Sequence, residues 1–503
     1  CKPVVYIQMT VSQNSSSREL VRKFIELLVQ MSHNARPYLV GGAVRDLLLN
    51  RPLKDLDVSV ERDGAPLGRR LADALHGHFF FLREEDETAR VLLPEDNGGL
   101  QIDITVRRGN LSQELRERDF TVNAMALDLH SLALLESWEP QALEPLLVDP
   151  CGGLQDLRSG ILRPPKDDAF RRDPVRILRA IRLSASLGFT TPPETTLQMR
   201  MALPGILASP PERVRDELMQ ILDRPDAAHW FERADELGII RFILPDIDAL
   251  HDVEQNYYHH LNAWEHTIEA VRKLSELVDG EWLSEQLRNR VLEHLCRPVN
   301  RLYSHAAVLR LAIIYHDVGK SVTKTVDETG RIRFFGHDTE GVRMANSACQ
   351  RLRLSAAETG LILAGVRHHM RLNLMLNAAK DGPPSPKAIL RFFLNTKKHA
   401  ADVLLIAMAD SLASCGPAVP QGWHKRFIGF CADLLHRTFY APDSLVPEPL
   451  VNGEELMEHL GLEEGPIIGK LLRAIQEAQV EGRVQSKEEA LGLAKTLLEN
   501  QDA

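Results

Sequence analysis

Cysteine is scarce in this 503-residue chain, where six thiols are scattered and no two of them form a CxxC pair. This spacing argues against a thiolate zinc site and a disulfide framework, and it is typical of a protein from a reducing compartment. The chain also lacks a run of about eighteen apolar residues, so we expect no membrane span. Residues 1–17 lack the charge pattern of a signal peptide and are interpreted as a loose leader. Together these features predict a cytoplasmic protein.

An excess of positive charge is missing as well. The formal net charge is −10, which excludes a protein that binds nucleic acid through general basicity. A local basic stretch is nevertheless present between Arg158 and Arg182, where eight residues are Lys or Arg. RNA binding through one surface is therefore compatible with the sequence.

The order of the predicted elements indicates an α+β fold. Short apolar strands alternate with helices up to about residue 165, which predicts a small mixed sheet with flanking helices. From residue 166 onward the apolar residues recur at helical spacing, and Pro210, Pro211 and Pro245 interrupt the pattern. The sequence thus predicts an N-terminal sheet domain followed by helical domains.

Three aspartates on the predicted strands form the first candidate site. Asp55 and Asp57 are separated by one residue, so in an extended strand they project from the same face. Asp103 lies on another apolar strand, LQIDITV. Neighbouring carboxylates repel one another unless a cation lies between them, and a few oxygen ligands suit Mg²⁺ together with substrate phosphates. This pattern predicts metal-assisted phosphoryl transfer.

The stretch before these aspartates fits phosphate binding. Gly41 and Gly42 end the first predicted strand in a turn where the backbone can approach a triphosphate. The helix that follows offers free N–H groups, and Arg45 adds a positive charge one turn into it. The turn and the carboxylates are therefore expected to serve one nucleotide site.

Four motifs resemble, in the same order, those of the class II tRNA nucleotidyltransferases and bacterial poly(A) polymerases. GGAVRD and KDLDV, within residues 41–58, resemble the family's first motif. RERDFTVNAM, from residue 116, resembles RRDFTxNAM, and DPCGGLQDL, from residue 149, resembles DPxxGxxDL. RDPVRILRA, from residue 172, resembles EDPxRxLRA. On these motifs the chain is identified as a member of this family.

The resemblance implies a role for each matching residue in the head of the protein. Asp55 and Asp57 would be catalytic residues that bind Mg²⁺, and Asp103 would be a third ligand or a base. Phosphate and ribose contacts would come from Gly41, Gly42, Arg45, Arg118, Asp119 and Asn123.

The resemblance also implies how the base of the nucleotide is chosen. Asp173 and Arg176, with Arg179 nearby, would hydrogen-bond to the base edge. A carboxylate acceptor and a guanidinium donor one helical turn apart can imitate a Watson–Crick partner of C or A. Two positions depart from the family pattern: Arg172 replaces the usual acid, and Glu117 replaces a usual arginine. These departures bear on how Asp173 and Arg176 are oriented and on phosphate contacts.

The connection between Arg108 and Leu115 is short, with only Gly-Asn-Leu-Ser-Gln-Glu between them. Family members that build the whole CCA end resemble one another in having a longer, flexible loop here, which they need to switch from CTP to ATP. The short connection favours an enzyme that adds two cytidines to the 3′ end of tRNA and leaves the adenosine to a separate A-adding enzyme. Full CCA addition and A-adding or poly(A) polymerase activity remain alternatives.

A second constellation of histidines and aspartates lies between residues 266 and 410. Its order of His, HDxGK, His, HH and Asp resembles the HD metal-dependent phosphohydrolase domain, which many members of this family carry. Imidazoles and carboxylates suit divalent transition metals, here Ni, Mn, Fe or Co. The resemblance implies phosphatase or 2′,3′-cyclic phosphodiesterase activity, and an HD hydrolase with an inactive, RNA-binding head is a further alternative. The candidate ligands are His266, His316, Asp317, His337, His368, His369 and Asp410.

These resemblances predict five segments and a set of partners. The expected partners are the tRNA 3′ end, CTP and ATP. The segments are a leader and first helix (1–34), a nucleotidyltransferase head (35–165), a helical neck and body that binds the nucleotide base and RNA (166–250), an HD domain (251–440) and a helical tail (441–503).

Overall fold

The structure is a computed structural model that describes residues 10–32, 35–53, 55–83, 88–94, 99–300, 302–380 and 382–499. The chain packs as two compact units, an N-terminal unit (Cys1–Ser209) and a C-terminal unit (Pro210–Ala503). The predicted neck and body, 166–250, spans this division. None of the helices in the described part of the chain combines the length and the apolar character needed to cross a bilayer.

A seven-stranded mixed sheet forms the centre of the N-terminal unit. Its strands are β1 (Tyr38–Val40), β2 (Asp55–Val60), β3 (His78–Arg83), β4 (Thr88–Leu92), β5 (Gln101–Val106), β6 (Ala126–Asp128) and β7 (Leu147–Val148). They lie in the order β3-β4-β5-β2-β1-β6-β7. Strands β2 and β5 pair in parallel, and the other described neighbours are antiparallel.

The alternation of side chains in β2 and β5 places the acidic residues together. Leu56 and Val58 of β2 and Ile102 and Ile104 of β5 are buried on one face of the sheet. Each of these aliphatic side chains stabilises the fold by about 1.5–3 kcal/mol. Because successive side chains alternate between faces, the aspartates at the intervening positions project from the opposite face.

Ten helices surround the sheet or follow it in the described part of the N-terminal unit. They are α1 (Thr10–Ser32), α2 (Gly42–Leu48), α3 (Gly64–Leu75), α4 (Leu111–Arg116), α5 (Leu129–Leu134), α6 (Pro140–Leu143), α7 (Gly153–Ser159), α8 (Ala169–Arg172), α9 (Val175–Leu187) and α10 (Pro193–Ala202). Helix α1 begins at Thr10, so the prediction of a loose leader was wrong for residues 10–17. Residues 1–9 lie outside the described residues.

The described part of the C-terminal unit is helical apart from one small hairpin, β8 (Thr325–Val326) and β9 (Ile332–Arg333). Its helices are α11 (Pro211–Leu222), α12 (Ala227–Glu236), α13 (Ile240–Ile243), α14 (Pro245–Asp248), α15 (Ala263–Asp279), α16 (Glu285–Cys296), α17 (His305–Tyr315), α18 (Lys320–Thr323), α19 (His337–Arg351), α20 (Ala356–Ala378), α21 (Pro386–Thr396), α22 (Ala400–Ala413), α23 (Trp423–Tyr440), α24 (Gly453–Leu460), α25 (Pro466–Val480) and α26 (Lys487–Glu499). The prediction of an α+β fold, with a sheet first and helices after it, is confirmed.

Helix α22 is the centre of the C-terminal unit. Every residue from Ala400 to Ala413 is buried, as expected for a helix that is apolar on all sides. Helices α15, α17, α20 and α23 pack around it. Its two aspartates, Asp402 and Asp410, are therefore held deep in the unit and need polar partners.

Candidate functional site

The three predicted carboxylates of the head lie on neighbouring parallel strands. Asp57 of β2 and Asp103 of β5 occupy directly paired register positions. Partial burial raises the pKa of Asp57, the charges of Asp103 and Asp55 add to this rise, and Arg118 opposes it. The Nη1 atom of Arg118 lies 3.6 Å from Oδ2 of Asp57. A carboxylate whose ionised form is disfavoured by its neighbours fits a site that binds a divalent cation.

Asp103 has a partner that the sequence analysis did not identify. Arg90 of β4 pairs with Asp103 across the antiparallel ladder, and its Nε and Nη2 donate to the two carboxylate oxygens at 2.7 Å each. This bidentate contact raises the pKa of Arg90. Asp103 thus lies beside the candidate metal site, but the charge of Arg90 already balances the charge of its carboxylate. The alternation in ARVLL would have shown that Arg90 faces away from the core, although not which strand it meets.

Gly41 lies against the candidate site and has no room for a side chain. Its φ is +77°, in the left-handed region. A Cβ atom there would come within 2.4 Å of Nη1 of Arg118 and 2.8 Å of Oδ2 of Asp57. The turn therefore brings the backbone close to both the carboxylate and the guanidinium, as a phosphate-binding turn requires.

Four of the predicted nucleotide-binding residues form one hydrogen-bonded chain. Arg45 Nη1 donates to Asn123 Oδ1 at 2.7 Å, and Asn123 Nδ2 donates to Asp119 Oδ1 at 2.9 Å. Arg179 Nη1 donates to the other oxygen of Asp119 at 3.2 Å. Although burial alone would raise the pKa of Asp119, the charge of Arg179 and the hydrogen bonds lower it. These contacts hold the two guanidinium groups in fixed positions.

The predicted base-reading pair lies at the start of α9. Arg176 Nε lies 3.7 Å from Asp173 Oδ2. The guanidinium also donates from Nη1 to the carbonyl of Arg118 at 3.2 Å and from Nη2 to that of Glu117 at 2.8 Å. The pair is therefore oriented by the backbone of the RERDFTVNAM segment. This arrangement offers one acceptor and one donor in a fixed relation to each other.

The two departures from the family pattern contact each other. Arg172 Nη1 donates to Glu117 Oε2 at 3.1 Å, and Lys166 also contacts the Glu117 carboxylate. Where the family pattern has an arginine and an acid, this chain has the same two charges exchanged. Since both side chains are half-exposed, the ion pair contributes only about 0–1 kcal/mol to stability. The exchange keeps the local charge balance next to Arg176.

The connection after β5 is even shorter than the sequence analysis indicated. Strand β5 ends at Val106, and helix α4 begins at Leu111 with a capping box formed by Asn110 and Gln113. Within α4, Glu114 accepts a hydrogen bond from the buried Ser59 of β2 at 2.5 Å. Only residues 107–110 lie outside regular structure. The segment is thus a capped helix attached to the sheet and leaves no length for a flexible loop.

Six of the seven histidines and aspartates predicted as ligands come together in the C-terminal unit. Five of them are buried, and His337 is partly buried. We refer to these six residues as the HD cluster: His266 on α15, His316 and Asp317 after α17, His337 on α19, His369 on α20 and Asp410 on α22.

Asp317 lies at the centre of the HD cluster. Its Oδ2 is 3.7 Å from His266 Nε2 and 3.2 Å from His316 Nε2. Its Oδ1 is 3.5 Å from His337 Nε2 and 3.6 Å from His369 Nε2. One carboxylate therefore faces two groups of imidazoles, which is the arrangement of a ligand shared between two metal positions.

The histidine tautomers in the HD cluster suit metal binding. The Nδ1 atoms of His316, His337 and His369 donate to backbone carbonyls at 2.6, 2.8 and 2.8 Å. Each Nε2 is then directed into the cluster, where it can coordinate a metal ion once it carries no proton, and the Nε2 atoms of His337 and His369 lie 3.3 Å apart. His316 Nε2 is buried and has no hydrogen-bond partner among the described residues. A divalent cation would satisfy this atom, so the residues fit the metal that an HD domain generally uses.

The electrostatics of the HD cluster favour a bound positive charge. Despite burial, the neighbouring histidines hold the pKa values of Asp317 and Asp410 well below their usual range. The same carboxylates raise the pKa of His316 to about 10, against the effect of burial. Without a cation the cluster therefore retains a proton, which a metal ion would replace.

His368 does not join the HD cluster. It precedes His369 on α20, where successive side chains point about 100° apart, and it is only partly buried while His369 is buried. Two residues outside the predicted set lie at the cluster instead. Lys320, the lysine of HDxGK, contacts Asp317 at 2.5 Å, and the ring of His259 packs edge-on against His266. The HDxGK motif would have identified Lys320.

Four family models match the chain. They are the Poly A polymerase head domain (37–163), the "Probable RNA and SrmB- binding site of polymerase A" (188–250), the HD domain (263–414) and tRNA nucleotidyltransferase domain 2 (447–494). The matches follow one another in the order of the predicted segments.

Curated relatives match over most of their length. The chain is 34% identical to a CC-adding tRNA nucleotidyltransferase of Thermus thermophilus, over 90% of this chain and 91% of the relative. It is also 34% identical to an A-adding tRNA nucleotidyltransferase of Deinococcus radiodurans, over 90% and 93%. Among solved structures, the Thermotoga maritima CCA-adding enzyme complexed with tRNA has a TM-score of 0.57 at 23% identity, covering 97% of this chain and 98% of that one. This structural likeness concerns the fold.

Proposed function

The chain belongs to the family of tRNA nucleotidyltransferases and poly(A) polymerases, and on that premise we propose that it adds cytidines from CTP to the 3′ end of tRNA. The observation that carries this proposal is the register of β2 and β5, which sets Asp57 beside Asp103 under the Gly41 turn. The head is assigned to residues 35–165 and the HD domain to residues 251–440. The proposed substrates, tRNA and nucleoside triphosphates, are cytoplasmic molecules.

In the proposed reaction the 3′-hydroxyl of the RNA attacks the α-phosphate of the nucleotide, and pyrophosphate leaves. Bound Mg²⁺ would supply Lewis-acid stabilisation of the attacking and leaving oxygens. Asp55 and Asp57 would hold the metal, and Asp103, whose charge is balanced by Arg90, would set the local potential. Arg118, 3.6 Å from Asp57, is positioned to offset the charge of the phosphates.

The hydrogen-bonded chain from Arg45 through Asn123 and Asp119 to Arg179 is proposed to hold the triphosphate and ribose. Its members hold one another in place through hydrogen bonds, which lowers the entropic cost of positioning them around a nucleotide. Asp119 stays ionised because its pKa is lowered, and it can accept a hydrogen bond from a ribose hydroxyl.

The short connection supports CC addition as the specific reaction. Residues 107–110 and the capped helix α4 leave no flexible segment to rearrange the site between CTP and ATP. We expect a tRNA lacking its CCA end to gain two cytidines with CTP alone, and no adenosine when ATP is also present. Gel analysis of primer extension with CTP, ATP or both measures this directly. Efficient adenosine addition after the second cytidine would refute CC specificity, and processive extension with ATP alone would indicate a poly(A) polymerase.

Asp173 is expected to determine the choice of base. Replacing Asp173 with asparagine puts an amide donor where the carboxylate accepts the exocyclic amine of cytosine. The preference for CTP over UTP should fall roughly 10- to 100-fold, as for the loss of one hydrogen bond to a charged group. Competition between CTP and UTP in single-nucleotide extension measures the change. The exposed Asp73→Asn variant on α3 is the matched control. An unchanged CTP preference in Asp173→Asn would contradict the role.

A second activity is proposed for the HD cluster. A divalent transition metal (Ni, Mn, Fe or Co) held by its histidines and aspartates would activate water for attack on a phosphate ester. The observation that favours this function is the set of Nε2 atoms directed at Asp317, with no hydrogen-bond partner for His316 Nε2 among the described residues. Phosphate monoesters or 2′,3′-cyclic phosphates at nucleotide or RNA ends are the proposed substrates.

A further inference from the structure

A second group of histidines surrounds Asp402, the other buried aspartate of α22. His294 Nε2 lies 2.8 Å from Asp402 Oδ1, and His399 Nδ1 lies 3.6 Å from Oδ2. The ring of His305 lies 4.5 Å from that of His294, centre to centre. One ligand atom from each of His294, His305 and Asp402 lies within 4.8 Å of the others. We refer to His294, His305, His399 and Asp402 as the Asp402 cluster.

The tautomer of His305 repeats the arrangement found in the HD cluster. Its Nδ1 lies 3.0 Å from the carbonyl of Arg297, which accepts the N–H hydrogen. The Nε2 atom is then a lone pair, as in metal-binding histidines oriented by a backbone carbonyl. A hydrogen bond to Asp402 does not explain the position of His305, because Asp402 Oδ1 is hydrogen-bonded to His294.

The spacing between His294 and Asp402 is close to that of two ligands in a tetrahedral site. Ligand atoms about 2.0–2.1 Å from Zn²⁺ are about 3.3 Å from one another. The distance of 2.8 Å between His294 Nε2 and Asp402 Oδ1 is shorter than this value by about half an ångström, a shift within the range of side-chain motion. His305 offers a ligand atom within 4.8 Å of both.

We propose that the Asp402 cluster binds a divalent cation, for which Zn²⁺ is the best match. His294, His305 and Asp402 are the ligands, and a water molecule would complete four-coordination. Asp402 is only 1% exposed, so its carboxylate needs polar or positively charged partners. Two imidazoles and one carboxylate are ligand types that Zn²⁺ prefers.

This site would tie together the helices that carry the HD cluster. His305 begins α17, and His316 follows the other end of that helix, about 16 Å away. Asp402 and Asp410 lie about 12 Å apart on α22. His294, near the end of α16, joins a third helix to both. A cation here would fix the relative positions of α17 and α22 at a distance from the HD chemistry.

The test is the metal content of the protein after loading with Zn²⁺ and extensive dialysis, measured by mass spectrometry. His305→Ala should lower the Zn²⁺ content by one equivalent relative to wild type. The exposed His459→Ala on α24 is the control and should change nothing. In an Asp317→Asn background, where the HD cluster is disabled, one equivalent should remain, and adding His305→Ala should remove it.

Co²⁺ gives a second readout that does not depend on enzymatic activity. In the Asp317→Asn background, Co²⁺ should produce the strong visible absorption of a four-coordinate site, and Asp402→Asn should abolish it. Zn²⁺ should also raise the melting temperature of wild type but not of His305→Ala. Equal Zn²⁺ content in wild type and His305→Ala would overturn the proposal and leave a metal-free ion pair between Asp402 and its histidines.

Discussion

Replacing Asp57 with asparagine is expected to slow cytidine addition by at least about a thousandfold. Losing one charged ligand of the catalytic metal removes transition-state stabilisation of about 4 kcal/mol or more, and each 1.4 kcal/mol corresponds to about tenfold in rate. The effect should appear in the rate of the chemical step, because Asp57 lies with Asp55 and Asp103 where the metal is proposed to bind. Single-turnover incorporation of CTP into a tRNA that lacks its CCA end, at saturating CTP and Mg²⁺, is the appropriate measurement.

The fold should tolerate this substitution. Burial and the charges of Asp103 and Asp55 raise the pKa of Asp57 against the effect of Arg118, so its ionised form is less favourable here than in water. A neutral asparagine of the same shape removes that repulsion, and the melting temperature should stay the same or rise. Asp73→Asn is the control for a charge lost elsewhere in the head and should keep full activity. If Asp57→Asn retained a tenth of the wild-type rate, Asp57 would not be a metal ligand.

The sequence predicted the carboxylates of the head because period-two alternation reports which face each residue takes. It could not predict the pairing of Asp103 with Arg90, because alternation does not report which strand lies next to which. The same limit applies to Glu117 and Arg172. In the sequence alone, each is a departure from its own motif with no visible connection to the other. They lie 55 residues apart, and the structure shows them as one ion pair.

In the helical segments, prediction from sequence was limited by a different factor, the packing of the helices. The histidine and aspartate motifs identified the HD cluster although its members come from four helices and the turn after α17, because their order is specific. The sequence could not choose between His368 and His369, since the packing of α20 determines which one is buried. The Asp402 cluster was missed because none of its residues belongs to a recognisable motif. His294 and Asp402 are 108 residues apart and meet because α16 packs on α15, α17 and α23, the helices that surround the buried α22.

Replacing Asp317 with asparagine is expected to abolish the proposed phosphohydrolase activity, with a loss of about a thousandfold. Asp317 uses both oxygens, one toward His266 and His316 and the other toward His337 and His369, so an amide weakens both candidate metal positions together. A hydrolysis assay on a 2′,3′-cyclic nucleotide with added Ni²⁺, Mn²⁺ or Co²⁺ measures the loss. Cytidine addition, which depends on the head, should continue at a normal rate.

Asp317 is fully buried and contacts Lys320, so a separate pair of variants distinguishes loss of metal chemistry from loss of structure. His369→Ala and His368→Ala remove the same group from adjacent positions of α20, but only His369 reaches the HD cluster, 3.6 Å from Asp317. We expect His369→Ala to lower hydrolysis about a hundredfold or more and His368→Ala to stay within about threefold of wild type. Bound metal should fall in His369→Ala alone. Equal losses in both variants would mean that the helix and not the ligand had been disturbed, and unchanged hydrolysis in His369→Ala would remove the HD cluster as the site of the activity.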